Sequence, residues 1–189
     1  MAVAHLGHES GQLHARETQF LHNMLQLHRV KTSDIMTPRP VVFSLPADLR
    51  SDAFIREIDD KPYTRIPLHD PDTQDIRGFV IKGEVLMEHV KRGSDGLAIR
   101  DKLRPIESVH GALTVDRLFH RFITEHHQIM LVVDEYGTMA GLVSLEDVLE
   151  TIFGFEIVDE LDKVPDLQAY ARELWAERAS RLGIALEPQ

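Results

Sequence analysis

Residues 128–162 read QIMLVVDEYGTMAGLVSLEDVLETIFGFEIVDELD, and the fold follows from how this stretch is read. Ile129 to Val133 is a five-residue apolar run, long enough for a buried strand and too short for a buried helix. Asp134-Glu135-Tyr136-Gly137 supplies turn chemistry and Met139 to Val143 resumes the apolar pattern, so the two runs predict a β-hairpin with a longer loop. Ser144 ends the second strand and opens a helix. Its hydroxyl, followed three residues on by the carboxylate of Asp147, has the spacing of a capping box. Val148, Leu149, Ile152 and Phe153 then recur on one helical face. The unit is strand, turn, strand, helix.

Outward from this unit the chain repeats itself. Gly141-Leu142-Val143 answers Gly78-Phe79-Val80 at an offset of 63 positions, and Met130-Leu131-Val132 answers Ile66-Pro67-Leu68 at 64. Ile99 to Pro105 likewise answers Thr32 to Pro38. A duplication of this period outranks any single motif as a guide to architecture. Gly93-Ser94-Asp95-Gly96 marks the internal boundary. In the first half, Pro38 and Pro40 predict extended backbone over Ser33 to Pro40. Val41 to Phe43 reads as a short strand and Leu45 to Asp48 as a turn into a helix whose apolar face is Phe54, Ile55 and Ile58. Tyr63 to Leu68 is extended, His69 to Asp72 a turn, Ile76 to Ile81 a strand and Glu84 to Val90 a helix. Val115 to Ile123 is the matching helix of the second half. Gly11 to Val30 reads as a lead-in helix with Leu13, Phe20, Met24 and Leu27 on its apolar stripe, and Leu167 to Leu182 as a helical tail.

Composition narrows the function classes. A chain of 189 residues with 43% hydrophobic and 28% charged residues is an ordinary globular composition, long enough to bury a core. The formal net charge of −10 argues against a nucleic-acid partner. There is no cysteine, hence no disulfide framework and no thiolate chemistry. No run reaches the roughly 20 apolar residues that cross a bilayer, so the expectation is a soluble polypeptide. His14, His22 and His28 do not converge at metal-ligand spacing and read as solvated or packing side chains. The acidic cluster Glu156, Asp159, Glu160 and Asp162 reads as solvated surface ahead of a cation site. No GxxxxGK, GxSxG or HExxH motif is present, and the chain reads as a non-enzyme.

Each half running strand, helix, strand, strand, helix resembles a tandem pair of CBS domains, named for cystathionine β-synthase. Ile35-Met36-Thr37-Pro38 looks like the opening motif of a first CBS repeat, and Tyr63-Thr64-Arg65-Ile66-Pro67 resembles the first repeat of the CorC and cyclin-M magnesium-transporter family. Val133-Asp134-Glu135-Tyr136-Gly137 with Gly141 to Glu150 closely resembles the second repeat of the CorC and cyclin-M magnesium-transporter family. The resemblance covers about Ser33 to Asp162. It implies an α/β (α+β) fold of two β-α-β-β-α repeats packed as a pseudo-twofold pair with flanking helices. The segments are then a lead-in over 1–31, repeats over 32–92 and 97–162, and a tail over 163–189. It also implies that the chain is the cytoplasmic part of a membrane protein whose membrane domain is not included, and that CBS pairs associate as a homodimer.

CBS pairs of this family bind adenine nucleotides between repeats, and the residue types suit that role. The resemblance places nucleotide contacts at Thr37, at Tyr63, Thr64, Arg65, Ile66 and Pro67, and at Ser144, Glu146 and Asp147. A carboxylate such as Asp147 can accept from both ribose hydroxyls, and the helix start at Ser144 offers unpaired amides to phosphate oxygens. Tyr63 and Ile66 would supply apolar surface for adenine, and the planar fork of Arg65 suits a phosphate. The residues by themselves leave another reading open, since Ser144 and Asp147 would look the same if they only capped a helix. The first repeat departs from the pattern, with Ile81 and Glu84 where the second has Ser144 and Asp147, so one nucleotide site is expected. The implied ligand is ATP or AMP with Mg²⁺ carried on the phosphates, in a regulatory domain of a protein of Mg²⁺ or other divalent-cation transport. The rival reading is a dimerisation scaffold with an empty cleft, and a nucleotide hydrolase is a distant third.

Overall fold

Apolar side chains that alternate along a strand leave one face to be covered, and each of the two compact units of this chain covers it with helices of that unit. A computed structural model describes residues 15–92, 97–155, 170, 171 and 174. The boundary turn at 93–96, the acidic cluster and most of the tail therefore lie outside the described residues. The elements are α1 (Ala15–Gln26), α2 (Thr32–Ile35), β1 (Thr37–Pro38), β2 (Leu45–Pro46), α3 (Ser51–Ile58), β3 (Arg65–His69), β4 (Ile76–Ile81), α4 (Lys82–Arg92), β5 (Ser108–His110), α5 (Val115–Thr124), β6 (Ile129–Val133), β7 (Met139–Ser144) and α6 (Leu145–Phe153). Short 3-10 turns occupy Arg39–Val41 and Ile99–Lys102. Among the described residues, 15–41 and 108–155 gather into one compact unit and 42–92 with 97–107 into a second.

In the second unit the strands run in the order β2-β3-β4, with β2 parallel and β4 antiparallel to β3. Leu45, Phe54, Ile58, Ile66, Leu68, Val80, Val85 and Ile99 form its core. The first unit has the order β1-β7-β6-β5, with a core of Leu27, Val109, Val115, Leu118, Phe122, Met130, Val132, Val143, Val148 and Ile152. The duplication is legible in these cores. Leu45 with Val109, Phe54 with Leu118, Ile58 with Phe122, Ile66 with Met130 and Leu68 with Val132 are each 64 positions apart, while Val80 with Val143 and Val85 with Val148 are 63 apart. Even the irregularity in the ladder recurs, at Leu68/His69 and again at Val132/Val133. Burying one such Val, Leu, Ile or Phe is worth about 1.5–3 kcal/mol.

The expected strand at Val41 to Phe43 and the turn at Leu45 are corrected. Arg39–Val41 is a 3-10 turn, and the strand is Leu45–Pro46, because Leu45 is the residue that finds a parallel partner in Leu68. Pro46 lacks an N–H, which an edge strand tolerates, and the next ladder bond runs from the Ala47 N–H to the His69 carbonyl at 2.9 Å. Extended backbone over Ser33 to Pro40 is corrected in part, since Thr32–Ile35 forms one helical turn before β1. The Thr32 N–H and Oγ1–H both donate to the Leu113 carbonyl at 2.8 Å, which anchors that turn. The turn at His69 to Asp72 forms as expected around Asp70, whose Oδ1 accepts the amides of Asp72 and Thr73. The Arg77 guanidinium, followed by those amides, holds the Asp70 carboxyl below its ordinary range.

The lead-in helix ends at Gln26, short of the expected Val30. It packs on α6, where Phe20 meets Phe153 edge-on at 5.3 Å between centroids. Asn23 Nδ2 donates to the Ile152 carbonyl at 3.1 Å, satisfying one of the carbonyls that a helix end leaves without an internal partner. Among the described residues no helix is long and apolar enough to cross a membrane.

Candidate functional site

Strand β7 runs straight into α6 through Ser144, whose backbone is extended (φ −110°, ψ 165°) while its carbonyl end already belongs to the helix. The capping box is closed in both directions. Ser144 N–H donates to Asp147 Oδ2 at 2.6 Å, Ser144 Oγ–H donates to the same oxygen at 2.7 Å, and Asp147 N–H donates back to Ser144 Oγ at 3.1 Å. Two donors on one carboxylate oxygen and one on the hydroxyl fix both side chains before any ligand arrives. Ser144 and Asp147 are half-buried and Glu146, on the next position of the first turn, is exposed.

Strand β1 joins this sheet from far away in sequence. Thr37 pairs with Leu142 and Pro38 with Gly141, antiparallel, which sets the Thr37 backbone one strand over from Ser144 and two residues back. The close approach depends on Gly141. A Cβ there would run into the Thr37 carbonyl oxygen and lie 2.9 Å from Met36 Sδ. Thr37, Ser144, Glu146 and Asp147 are thus brought together within one unit.

Tyr63, Thr64, Arg65, Ile66 and Pro67 belong to the other unit. Tyr63 is half-buried and stacked on Phe43, with centroids 5.7 Å apart and planes 28° from parallel. Lys61 Nζ sits 5.5 Å from the Phe43 centroid on the same aromatic pair. Thr64 is exposed and Arg65 half-buried. Ile66 is 0% exposed and packs in that unit's core, so its side chain is spent on packing, in contrast to the apolar ligand surface expected of it. Pro67 is also buried.

The counterpart of Ser144 and Asp147 in the first repeat differs as the sequence foretold. Ile81 ends β4 and Glu84 stands in the first turn of α4. Sequence reasoning passed over Arg104, which bridges to Phe79 through mutual backbone hydrogen bonds of 2.8 and 3.0 Å. The signal was present, because matching Ile99 to Pro105 with Thr32 to Pro38 sets Arg104 against Thr37. Among the described residues no cluster of three His, Cys, Asp or Glu side chains is placed to hold a metal ion.

Comparison with known proteins follows the same lines. The CBS domain family is matched over residues 99–154. A UPF0053 protein of Synechocystis is 32% identical over 183 residues, covering 97% of this chain and 52% of its own length. The magnesium and cobalt efflux protein CorC of Vibrio cholerae is 30% identical over 142 residues, covering 75% of this chain and 48% of its own. The chain spans about half the length of the curated relatives it matches. The solved CBS domain of a bacterial CNNM/CorC family Mg²⁺ transporter superposes with a TM-score of 0.77 at 25% identity, over 84% of this chain and 95% of that one. A structure of such a domain in complex with ATP gives 0.69 at 25% identity, over 74% and 98%. A CBS-domain pair with bound AMP from Klebsiella pneumoniae gives 0.57 at 25% identity, over 65% and 98%. The duplicated repeats and these likenesses agree: residues 99–154 match the CBS domain, and the chain is similar to CorC proteins and to the CBS domains of CNNM/CorC family Mg²⁺ transporters.

Proposed function

We infer that this chain is a regulatory, adenine-nucleotide-binding CBS pair, with Mg-ATP as its ligand, serving a membrane protein of Mg²⁺ or divalent-cation transport. One observation carries the reading: the Ser144–Asp147 box stands at a helix start, half-buried and preorganised, with Thr37 on the adjacent strand. A hydroxyl, a carboxylate and a helix N-terminus together match a ribose and its phosphates. The solved ATP and AMP complexes of similar CBS domains support the ligand class. Thr37, Ser144, Glu146 and Asp147 form the nucleotide's ribose-phosphate side in this reading, and the family resemblance assigns further nucleotide contacts to Tyr63, Thr64, Arg65, Ile66 and Pro67. The nucleotide would bias the membrane part of the protein at the cytoplasmic face, and no chemical turnover is involved.

The reading makes a charge-based prediction. The chain carries −10, and Glu146 and Asp147 lie in the first turn of α6, so ATP meets unfavourable charge that a helix terminus, worth roughly half a charge, offsets only in part. Mg²⁺ on the phosphates cancels charge without a dedicated protein cage. ATP binding is therefore expected to depend on Mg²⁺ more strongly than AMP binding does. Ligand at a hundredfold excess over Kd stabilises by about 2.7 kcal/mol, so melting curves with ATP or AMP across a Mg²⁺ series read the effect. Equal ATP stabilisation in Mg²⁺ and in chelator would overturn the Mg-ATP assignment, and no stabilisation by any adenine nucleotide would overturn the nucleotide reading.

The scaffold alternative has its own support, because capping alone accounts for the bonds between Ser144 and Asp147. Both readings share a homodimer. Met87 and Val90 on α4 are 62% and 78% exposed, and Met24 and Leu25 on α1 are 53% and 52% exposed, apolar area that association would cover. Light scattering at micromolar concentration is expected to return twice the chain mass of 21.5 kDa, and a monomer would remove the dimer from both readings.

A further inference from the structure

The two repeats place different residues at the same position of their ladders, and this difference has a chemical meaning. Thr37 lies opposite Leu142, and Arg104 lies opposite Phe79. Leu142 and Phe79 are 63 positions apart, as are Gly141 and Gly78, Ser144 and Ile81, and Asp147 and Glu84. The glycines behave alike too: a Cβ at Gly78 would strike the Arg104 carbonyl oxygen, as one at Gly141 would strike that of Thr37. Arg104 is thus the structural counterpart of Thr37. Its side chain does what threonine cannot, since Arg104 Nη2 donates to Glu84 Oε1 at 2.5 Å in an ion pair.

We propose that Arg104, paired with Glu84, closes the first repeat's copy of the ribose-phosphate site and so limits each chain to one nucleotide. This rests on the nucleotide reading of Thr37, Ser144 and Asp147. Three changes act together at the copy. Ile81 removes the hydroxyl that serves as both donor and acceptor in the second repeat. The Glu84 carboxylate, one methylene longer than that of Asp147, holds the Arg104 guanidinium at the start of α4. Arginine, a far larger side chain, takes the ladder position that threonine holds in the other repeat. The pair is half exposed, at 50% for Arg104 and 41% for Glu84, so its strength as an ion pair is small. Exclusion comes from the bulk of the arginine that Glu84 holds in place.

The test is calorimetric titration with ATP and Mg²⁺ on a graded series. Wild type is expected to bind one nucleotide per chain. Ile81→Ser/Glu84→Asp, which keeps Arg104, is expected to remain at one, and adding Arg104→Thr is expected to give two. A double variant that already binds two, or a folded triple variant that still binds one, overturns the role of Arg104. The reciprocal variant Thr37→Arg keeps the test decisive should the triple variant not fold, as judged by its circular dichroism. An arginine beside Ser144 and Asp147 is expected to lower affinity at least tenfold, and undiminished affinity there overturns the proposal as well. A wild-type chain that binds no nucleotide identifies a different failure, that of the nucleotide reading itself, and the proposal falls with it.

Discussion

Gly141→Ala is expected to destabilise the first unit by about 3 kcal/mol, at the upper end of what overpacking costs. The added Cβ meets a backbone atom, the Thr37 carbonyl oxygen, which cannot rotate away as a side chain could, and then Met36 Sδ at 2.9 Å. Relief requires β1 to lift off β7, which loses the Thr37–Leu142 and Pro38–Gly141 pairing and separates Thr37 from the α6 start. The expected result is a lower urea midpoint together with weakened nucleotide binding. Gly83→Ala is the control, since a Cβ there meets nothing within 4 Å and the residue lies within α4. It should be neutral or stabilising by up to about 1 kcal/mol, because alanine exceeds glycine in helix propensity by that much. A Gly141→Ala chain as stable as wild type would show that β1 is not held against β7 as described.

The second large effect is at Asp147. Asp147→Ala is expected to lower nucleotide affinity by more than tenfold, because a hydrogen bond to a charged group contributes about 1.5–3 kcal/mol. It should also cost about 1 kcal/mol of stability, since Asp147 accepts both the amide and the hydroxyl of Ser144 across the helix start. The two losses can be separated. Asp147→Asn keeps an acceptor for Ser144 while removing the charge, so stability should return towards wild type and affinity should stay low. If affinity follows stability in both variants, Asp147 acts only through the cap. If Asp147→Ala binds nucleotide as well as wild type, Asp147 leaves the site altogether.

The distinction between cap and ligand contact was already open in the sequence, and the structure sharpens it. From spacing, Ser144-Leu145-Glu146-Asp147 could be read as a box. In the folded protein the hydroxyl donates to the carboxylate while its oxygen receives the Asp147 amide. That closed arrangement makes the helix start rigid, which is useful to a ligand and sufficient without one. Ile66 illustrates the reverse. Its place in Tyr63-Thr64-Arg65-Ile66-Pro67 suggested a ligand surface, yet strand alternation turns it into the core beside Phe54 and Val80. Neighbouring positions of one strand face opposite ways, so a motif read as a block cannot assign all of its side chains to one task.

The sequence by itself determined the hairpin at Ile129 to Ser144, the helix that Ser144 caps, the equivalence of the two halves and core residues such as Phe54, Ile58, Val148 and Ile152. These depend on periodicity and on contacts within a few residues, so the neighbours that decide them lie close in sequence. Only the tertiary structure decided which segments pair at the edges of the sheets. Val41 to Phe43 has the β-branched and aromatic composition of a strand, but Leu45 has the partner, Leu68, and the partner prevailed. Thr37 joins β7 across more than a hundred positions, Arg104 meets Glu84, and Phe43 stacks on Tyr63 for the same reason. An edge pairing is stabilised by hydrogen bonds and side chains on another segment, and local propensity carries no record of where that segment lies.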